Sequence, residues 1–152
     1  MAYLLDSGIV LRFVDAKDLR HLEVLQSVRI LGDKGKELFI ATQNIAEYCN
    51  VATRPISNNG LGLPPGEAVR LFEKDVEPIY QVVIEREAVH KELKRLISTY
   101  SVTGKQVHDA RLVAIMLAWQ IENILTLNDR DFRRYETEGI KVVTAAELIA
   151  SA

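Results

Sequence analysis

The feature that most constrains the fold of this chain is a repeated change of hydrophobic period. Short apolar runs, each too short for a helix, alternate with longer stretches in which apolar residues recur at helical spacing. The runs are Tyr3 to Leu5, Leu38 to Ala41, Ile79 to Val83, Ile124 to Leu127 and Lys141 to Val143. The helical stretches cover Asp15 to Leu31, Gln43 to Thr53, Pro65 to Lys74, Glu85 to Tyr100, Gln106 to Gln120 and, last and short, Ala145 to Ala150. This alternation predicts an α/β domain built on a mostly parallel sheet of about five strands.

At 152 residues, 48% of them hydrophobic and 26% charged, the chain has the length and balance of one domain, taken as residues 1–152. Asp6 interrupts the amino-terminal apolar run well short of a signal or membrane-spanning segment, so the expected location is the cytoplasm, away from membranes. Cys49 is the sole cysteine, which excludes an internal disulfide and a thiolate metal cluster. A bound metal must therefore take oxygen or imidazole ligands. The formal net charge of -2 gives no bulk attraction to nucleic acid, so any such binding must rest on a local basic patch.

Four segments carry the chemistry. YLLDSG delivers Asp6 and Ser7 at the carboxyl end of a strand, where ligands bind in parallel α/β sheets and where Asp6 is equally suited to cap a following helix. In QNIAEYCNVATRP, with Thr42 as the expected N-cap, Glu47 sits in an apolar helix at a position that capping does not explain. In GKQVHDARLVAIM, Asp109 lies in the first turn of the most apolar helix of the chain, and His108 beside it has no second histidine at ligand spacing. In LTLNDRDF a strand again runs into acids. Asn128 and Asp131 have the spacing of a cap and its partner, so Asp129 is the preferred functional acid and Asp131 an auxiliary.

In a parallel sheet all four acids can meet at one edge. Carboxylates about 4 Å apart repel by ~4 kcal/mol per pair at an effective dielectric near 20, so such a cluster calls for protons, basic partners or a cation. All-oxygen donors suit Mg²⁺ or Mn²⁺. Arg130, Arg133, Arg134 and Lys105 follow or flank the acids and are the candidate phosphate contacts, with Ser7 beside them. Tyr48 and Trp119, inside apolar helical runs, are expected in the core. Leu19, Leu22, Val24, Leu25 and Val28 form an apolar stretch expected in the core, with an interface as the alternative.

Taken together and in this order, the four segments resemble the PIN domain family, especially small stand-alone members similar to VapC toxins. Glu47 within AEYCNVATRP, the NNGLGL loop at Asn58 to Leu63, Asp109 in QVHDARLVA and the terminal LTLNDRDF carry the resemblance, which spans nearly the whole chain. It implies a three-layer α/β/α sandwich and a metal site at Asp6, Glu47, Asp109 and Asp129, with Asp131 sharing or replacing the last. It further implies hydrolysis of RNA to 5′-phosphate and 3′-hydroxyl products, a protein antitoxin that covers the acidic cleft, and a homodimer. Gly8 departs from the pattern, since many members have Asn or Ser there. A catalytically silent PIN-like module that binds RNA or protein is the alternative, although none of the four acids is missing. A phosphatase with Asp6 as covalent nucleophile needs a second Asp where Gly8 stands. A flap-type DNA nuclease needs more chain than is present.

Overall fold

The computed structural model describes residues 1–152. Its strands are β1 (Ala2–Leu5), β2 (Glu37–Ala41), β3 (Gln81–Val83), β4 (Asn123–Thr126) and β5 (Lys141–Thr144). They form one sheet in the order β3-β2-β1-β4-β5, with every pairing parallel. The helices are α1 (Ser7–Val14), α2 (His21–Asp33), α3 (Thr42–Thr53), α4 (Pro65–Asp75), α5 (Ala88–Thr99), α6 (Gln106–Trp119) and α7 (Ala145–Ala150).

A parallel sheet is stable only with both faces covered, and β1 shows how the sequence meets that demand. Its side chains alternate. Tyr3 and Leu5 join one apolar cluster with Val10, Val24 and Tyr48, while Leu4 joins a second with Val113, Met116 and Tyr135. Helices α1 to α4 and α7 cover the first face, and α5 and α6 cover the second, giving the expected α/β/α sandwich. The uniformly apolar α6 is buried over Leu112 to Met116, as its lack of a polar stripe requires.

The observed elements differ from the sequence reading where buried polar contacts decide. A helix, α1, begins directly after Asp6, and the chain is in a turn where the reading began its first helix at Asp15. The run from Ile9 to Leu11 has no polar stripe to announce a helix, but Ile9 and Val10 are fully buried. Helix α3 is capped differently from expectation as well. Ala41 is the N-cap and Thr42 the first helical residue, because the amide of buried Asn44 accepts from the Ala41 N–H at 2.7 Å. Trp119 is only half-buried: the Arg86 guanidinium lies 3.7 Å over its ring, and its indole N–H donates to the Ile84 carbonyl. Tyr48 is buried as expected, and the α2 stretch divides, with Val24 and Val28 in the core and Leu19 and Leu22 exposed.

The loop after α3 folds back on the helix end. The Leu61 and Leu63 N–H groups donate to the Val51 and Ala52 carbonyls. Gly60 is required there, since a Cβ would stand 2.0 Å from the Arg54 carbonyl oxygen.

Candidate active site

Strand β1 has neighbours on both sides: the chain winds outward from it through β2 to β3 on one side, then returns to place β4 and β5 on the other. The crevice beyond the carboxyl ends of β1 and β4 is therefore the ligand-binding position of this topology. Asp6 stands there. Its N–H donates to the Leu125 carbonyl at 3.0 Å, tying it to the end of β4. Its carboxylate caps α1 by accepting from the Ser7 N–H at 2.8 Å and also accepts from the Thr126 hydroxyl at 2.8 Å.

Glu47 reaches the same place from the second turn of α3. It accepts from the Ser7 hydroxyl and, on its other oxygen, from the Gln43 amide at 2.7 Å. That amide donates as well to the His108 carbonyl at 2.8 Å, bracing α3 against the start of α6. Asn44 donates to the Ser7 oxygen at 3.0 Å. Ser7 is thus held between Asn44 and Glu47 and acts as a hinge pin between α1 and α3. Replacing Asn44 by Ala leaves the buried Ala41 N–H without its acceptor and frees Ser7. The expected loss is about 1 to 3 kcal/mol of stability, read as a lower urea midpoint with an unchanged slope.

The cluster is electrostatically strained. Burial pushes the Asp6 carboxyl up to about 6, against the opposing hydrogen bonds from Thr126 and Ser7, with Glu47 and Asp131 adding repulsion. Burial likewise pushes Asp109 up to about 7, reinforced by Asp6, Asp131 and Glu47 and opposed by Arg134. Asp109 accepts no hydrogen bond that would hold its charge.

The two acids of the last segment separate in a way the sequence left open. Asp129 forms an ion pair with Arg133 at 3.1 Å, whereas Asp131 is the acid whose charge acts on both Asp6 and Asp109. A 3-10 turn, Asp129–Asp131, rotates the second acid toward the cluster, and Asn128 steadies it by donating to its carboxylate at 2.6 Å.

The candidate phosphate contacts are similarly unequal. Arg133 bonds to Asp129, Glu136, Glu147 and the Val142 carbonyl, which occupies its guanidinium with structural partners. Arg134 donates to Gln106 and the Tyr100 carbonyl while its charge reaches Asp109. Arg130 and Lys105 are exposed and form no ion pair. Gln43, Asn44 and Thr126 were not among the sequence candidates. They are buried polar residues beside the acids, and the only sequence signal for them is polar side chains at positions that the sheet and α3 bury.

No three Asp, Glu, His or Cys side chains close on a single ion position. The donor set nevertheless fits Mg²⁺, which takes one or two carboxylates directly and keeps several waters. Gln43 Oε1 supports that fit, being a buried acceptor beside Glu47 with no donor in the chain.

This architecture recurs in solved structures. VapBC-1 of nontypeable Haemophilus influenzae superposes with a TM-score of 0.67 at 15% identity over 96% of this chain and 99% of that one. The chain carries a VapC-like PIN fold. VapC20 of Mycobacterium tuberculosis, a sarcin-ricin loop cleaving toxin, gives 0.64 at 13% identity over 91% of this chain and 95% of that one. A toxin-antitoxin complex from Klebsiella pneumoniae gives 0.61 at 16%, over 94% and 97%. No protein-family model and no curated protein sequence matches the chain. The VapC-like fold accounts for the position of Asp6, since β1 and β4 together place it at the sheet's crevice.

Proposed function

We propose that this chain is a divalent-metal-dependent ribonuclease acting as the toxin of a toxin-antitoxin pair. The observation that carries this reading is that the carboxyl edge of the sheet brings Asp6, Glu47, Asp109 and Asp131 near enough to act on one another's charge, with burial and that repulsion pushing the Asp6 and Asp109 carboxyls up to about 6 and about 7. A carboxylate cluster in that condition gains most from a dication. Asp6, Glu47, Asp109 and Asp131 are the residues that would hold Mg²⁺ or Mn²⁺, with Asp129 as an outer neighbour. When bound, such an ion would neutralise these acids and supply Lewis-acid activation of a water nucleophile.

The chain's own residues do the positioning. Thr126 and the Ser7 N–H fix both oxygens of Asp6, so its carboxylate has one orientation. Gln43 and Ser7 do the same for Glu47. Asp109, which accepts no hydrogen bond within the chain, has both carboxyl oxygens available to a cation, and binding one would relieve the burial and repulsion that hold its proton. Arg130, Lys105 and Arg134 flank the acids and meet the flanking phosphates of a single-stranded RNA. The reaction is addition of water to phosphorus with loss of the 3′ oxygen, leaving a 5′-phosphate and a 3′-hydroxyl.

The structural neighbours include a toxin described as cleaving the sarcin-ricin loop and complexes of toxin with antitoxin, which supports an RNA substrate and a protein inhibitor here. No helix is long and apolar enough to cross a membrane. A homodimer working in the cytoplasm completes the reading.

The test is incubation of the purified protein with single-stranded RNA and DNA in Mg²⁺, Mn²⁺ or EDTA, beside an Asp6→Asn, Asp109→Asn double variant. Metal-dependent cutting of RNA that disappears in the variant is the expected result. If the folded protein cuts neither nucleic acid and calorimetry detects no binding of either metal, the chain is a binding module and the catalytic reading fails.

A further inference from the structure

On the sheet face covered by α2 and α7, a second cleft opens beside β5, with a volume of about 510 Å³. It contains none of the four clustered acids. Lys34 and Lys36 lie just before β2, and Lys141 is the first residue of β5, so all three mark the amino edge of the sheet, opposite the acids. That volume lies in the range of small-ligand sites.

Three observations suit the cleft to an anion. First, its two acids are already satisfied. Glu136 accepts from Arg133 and the Val142 N–H, and Glu147 accepts from Arg133 and the Thr144 N–H. Second, Lys34, Lys36 and Lys141 form no ion pair, so their charge is uncancelled within a chain of net charge -2. Third, the floor is apolar, from Leu31, Val143 and Leu148, and includes Tyr3, whose hydroxyl makes no hydrogen bond in the chain. An apolar floor beneath a cationic rim matches a molecule with an apolar body and a phosphate.

We propose that this cleft binds one phosphorylated nucleotide unit, its base against the Tyr3 floor and its phosphate on Lys34, Lys36 and Lys141. The unit has two sources, a free nucleotide or a residue of an RNA strand remote from the cleaved bond. The second rests on the ribonuclease reading, and the first does not.

The experiment compares the whole protein with a Lys34→Gln, Lys36→Gln, Lys141→Gln variant. ADP binding is measured by calorimetry, and acetylation of wild-type lysines is followed by mass spectrometry with and without ADP. The expected results are an ADP affinity at least about tenfold weaker in the variant and slower acetylation of these three lysines when ADP is present. Cleavage of a short single-stranded RNA then distinguishes the sources. A KM raised about tenfold at unchanged kcat, with a salt slope smaller by roughly two, assigns the site to the RNA strand. Unchanged KM with ADP binding lost assigns it to the free nucleotide. Equal ADP and RNA binding by both proteins overturns the proposal, as does acetylation that ADP leaves unaffected, a readout that needs no variant to fold. Failure of RNA cleavage alone defeats the ribonuclease reading and leaves the ADP result to decide the cleft.

Discussion

Asp109→Asn is expected to abolish cleavage and to stabilise the metal-free protein at the same time. Burial and the surrounding acids hold the Asp109 carboxyl up to about 7, so above that pH the folded chain carries a charge that it would be more stable without. An acid whose folded pKa is raised favours the folded state fully below its unfolded pKa, near 4, and loses that contribution as pH rises through the folded value. Asn has the shape of the protonated acid and never ionises. At about pH 8 the substitution therefore removes a penalty of order 1 to 2 kcal/mol, the full shift being reduced by solvent screening of this half-buried carboxyl and by proton sharing with Asp6. Thermal melts in EDTA should show the gain at about pH 8 and little near pH 4. Cleavage in Mg²⁺ should fall by about a thousandfold or more, because the neutral amide neither attracts a cation nor accepts a proton. A variant that loses activity while also losing stability at about pH 8 would show that Asp109 is a structural residue and not a strained one.

The second large effect concerns the wild-type protein and the metal. Without a dication, Asp6 and Asp109 both make the fold less stable as pH climbs through the window from about 4 to about 7. A bound dication reverses that slope, since it binds the ionised pair and not the protonated one. At about a hundred times its dissociation constant, Mg²⁺ should add ~2.7 kcal/mol, or roughly 5 to 10 °C in Tm for a chain of this size. That shift belongs at about pH 8 and should vanish near pH 5, where the acids hold their protons. Differential scanning fluorimetry across pH, with Mg²⁺ or EDTA, reads it directly. A Tm that Mg²⁺ raises equally at both pH values would place the ion elsewhere.

Much of the architecture is legible from periodicity, because a parallel sheet buried on both faces writes its strands as short apolar runs. All five strands lie at the expected places, and α7 spans the residues expected of it. Helix α1 was not legible, since Ile9 to Leu11 present an unbroken apolar run with no polar face. Glu47 stands out in the sequence because capping does not explain it, Asp109 because it opens the most apolar helix, and Asp6 because it ends a strand, although Asp6 also caps α1. The choice between Asp129 and Asp131 was not legible, for it depends on the rotation of one 3-10 turn and on Arg133 taking the first of them. The same limitation applies to Gln43 and Asn44, whose importance comes from burial that only the packed α1 and α3 create.

Arg133 joins the turn that presents Asp131 to both the strand and the helix that end the chain, through Asp129, the Val142 carbonyl and Glu147. One side chain thereby ties β5, α7 and the acid-bearing turn together, and if that tie couples their opening, their backbone amides exchange with deuterium at a common rate that Arg133→Ala splits. Any event that pulls α7 away would then slacken the turn holding Asp131, so on the ribonuclease reading a change at this remote helix would lower activity without touching the acids.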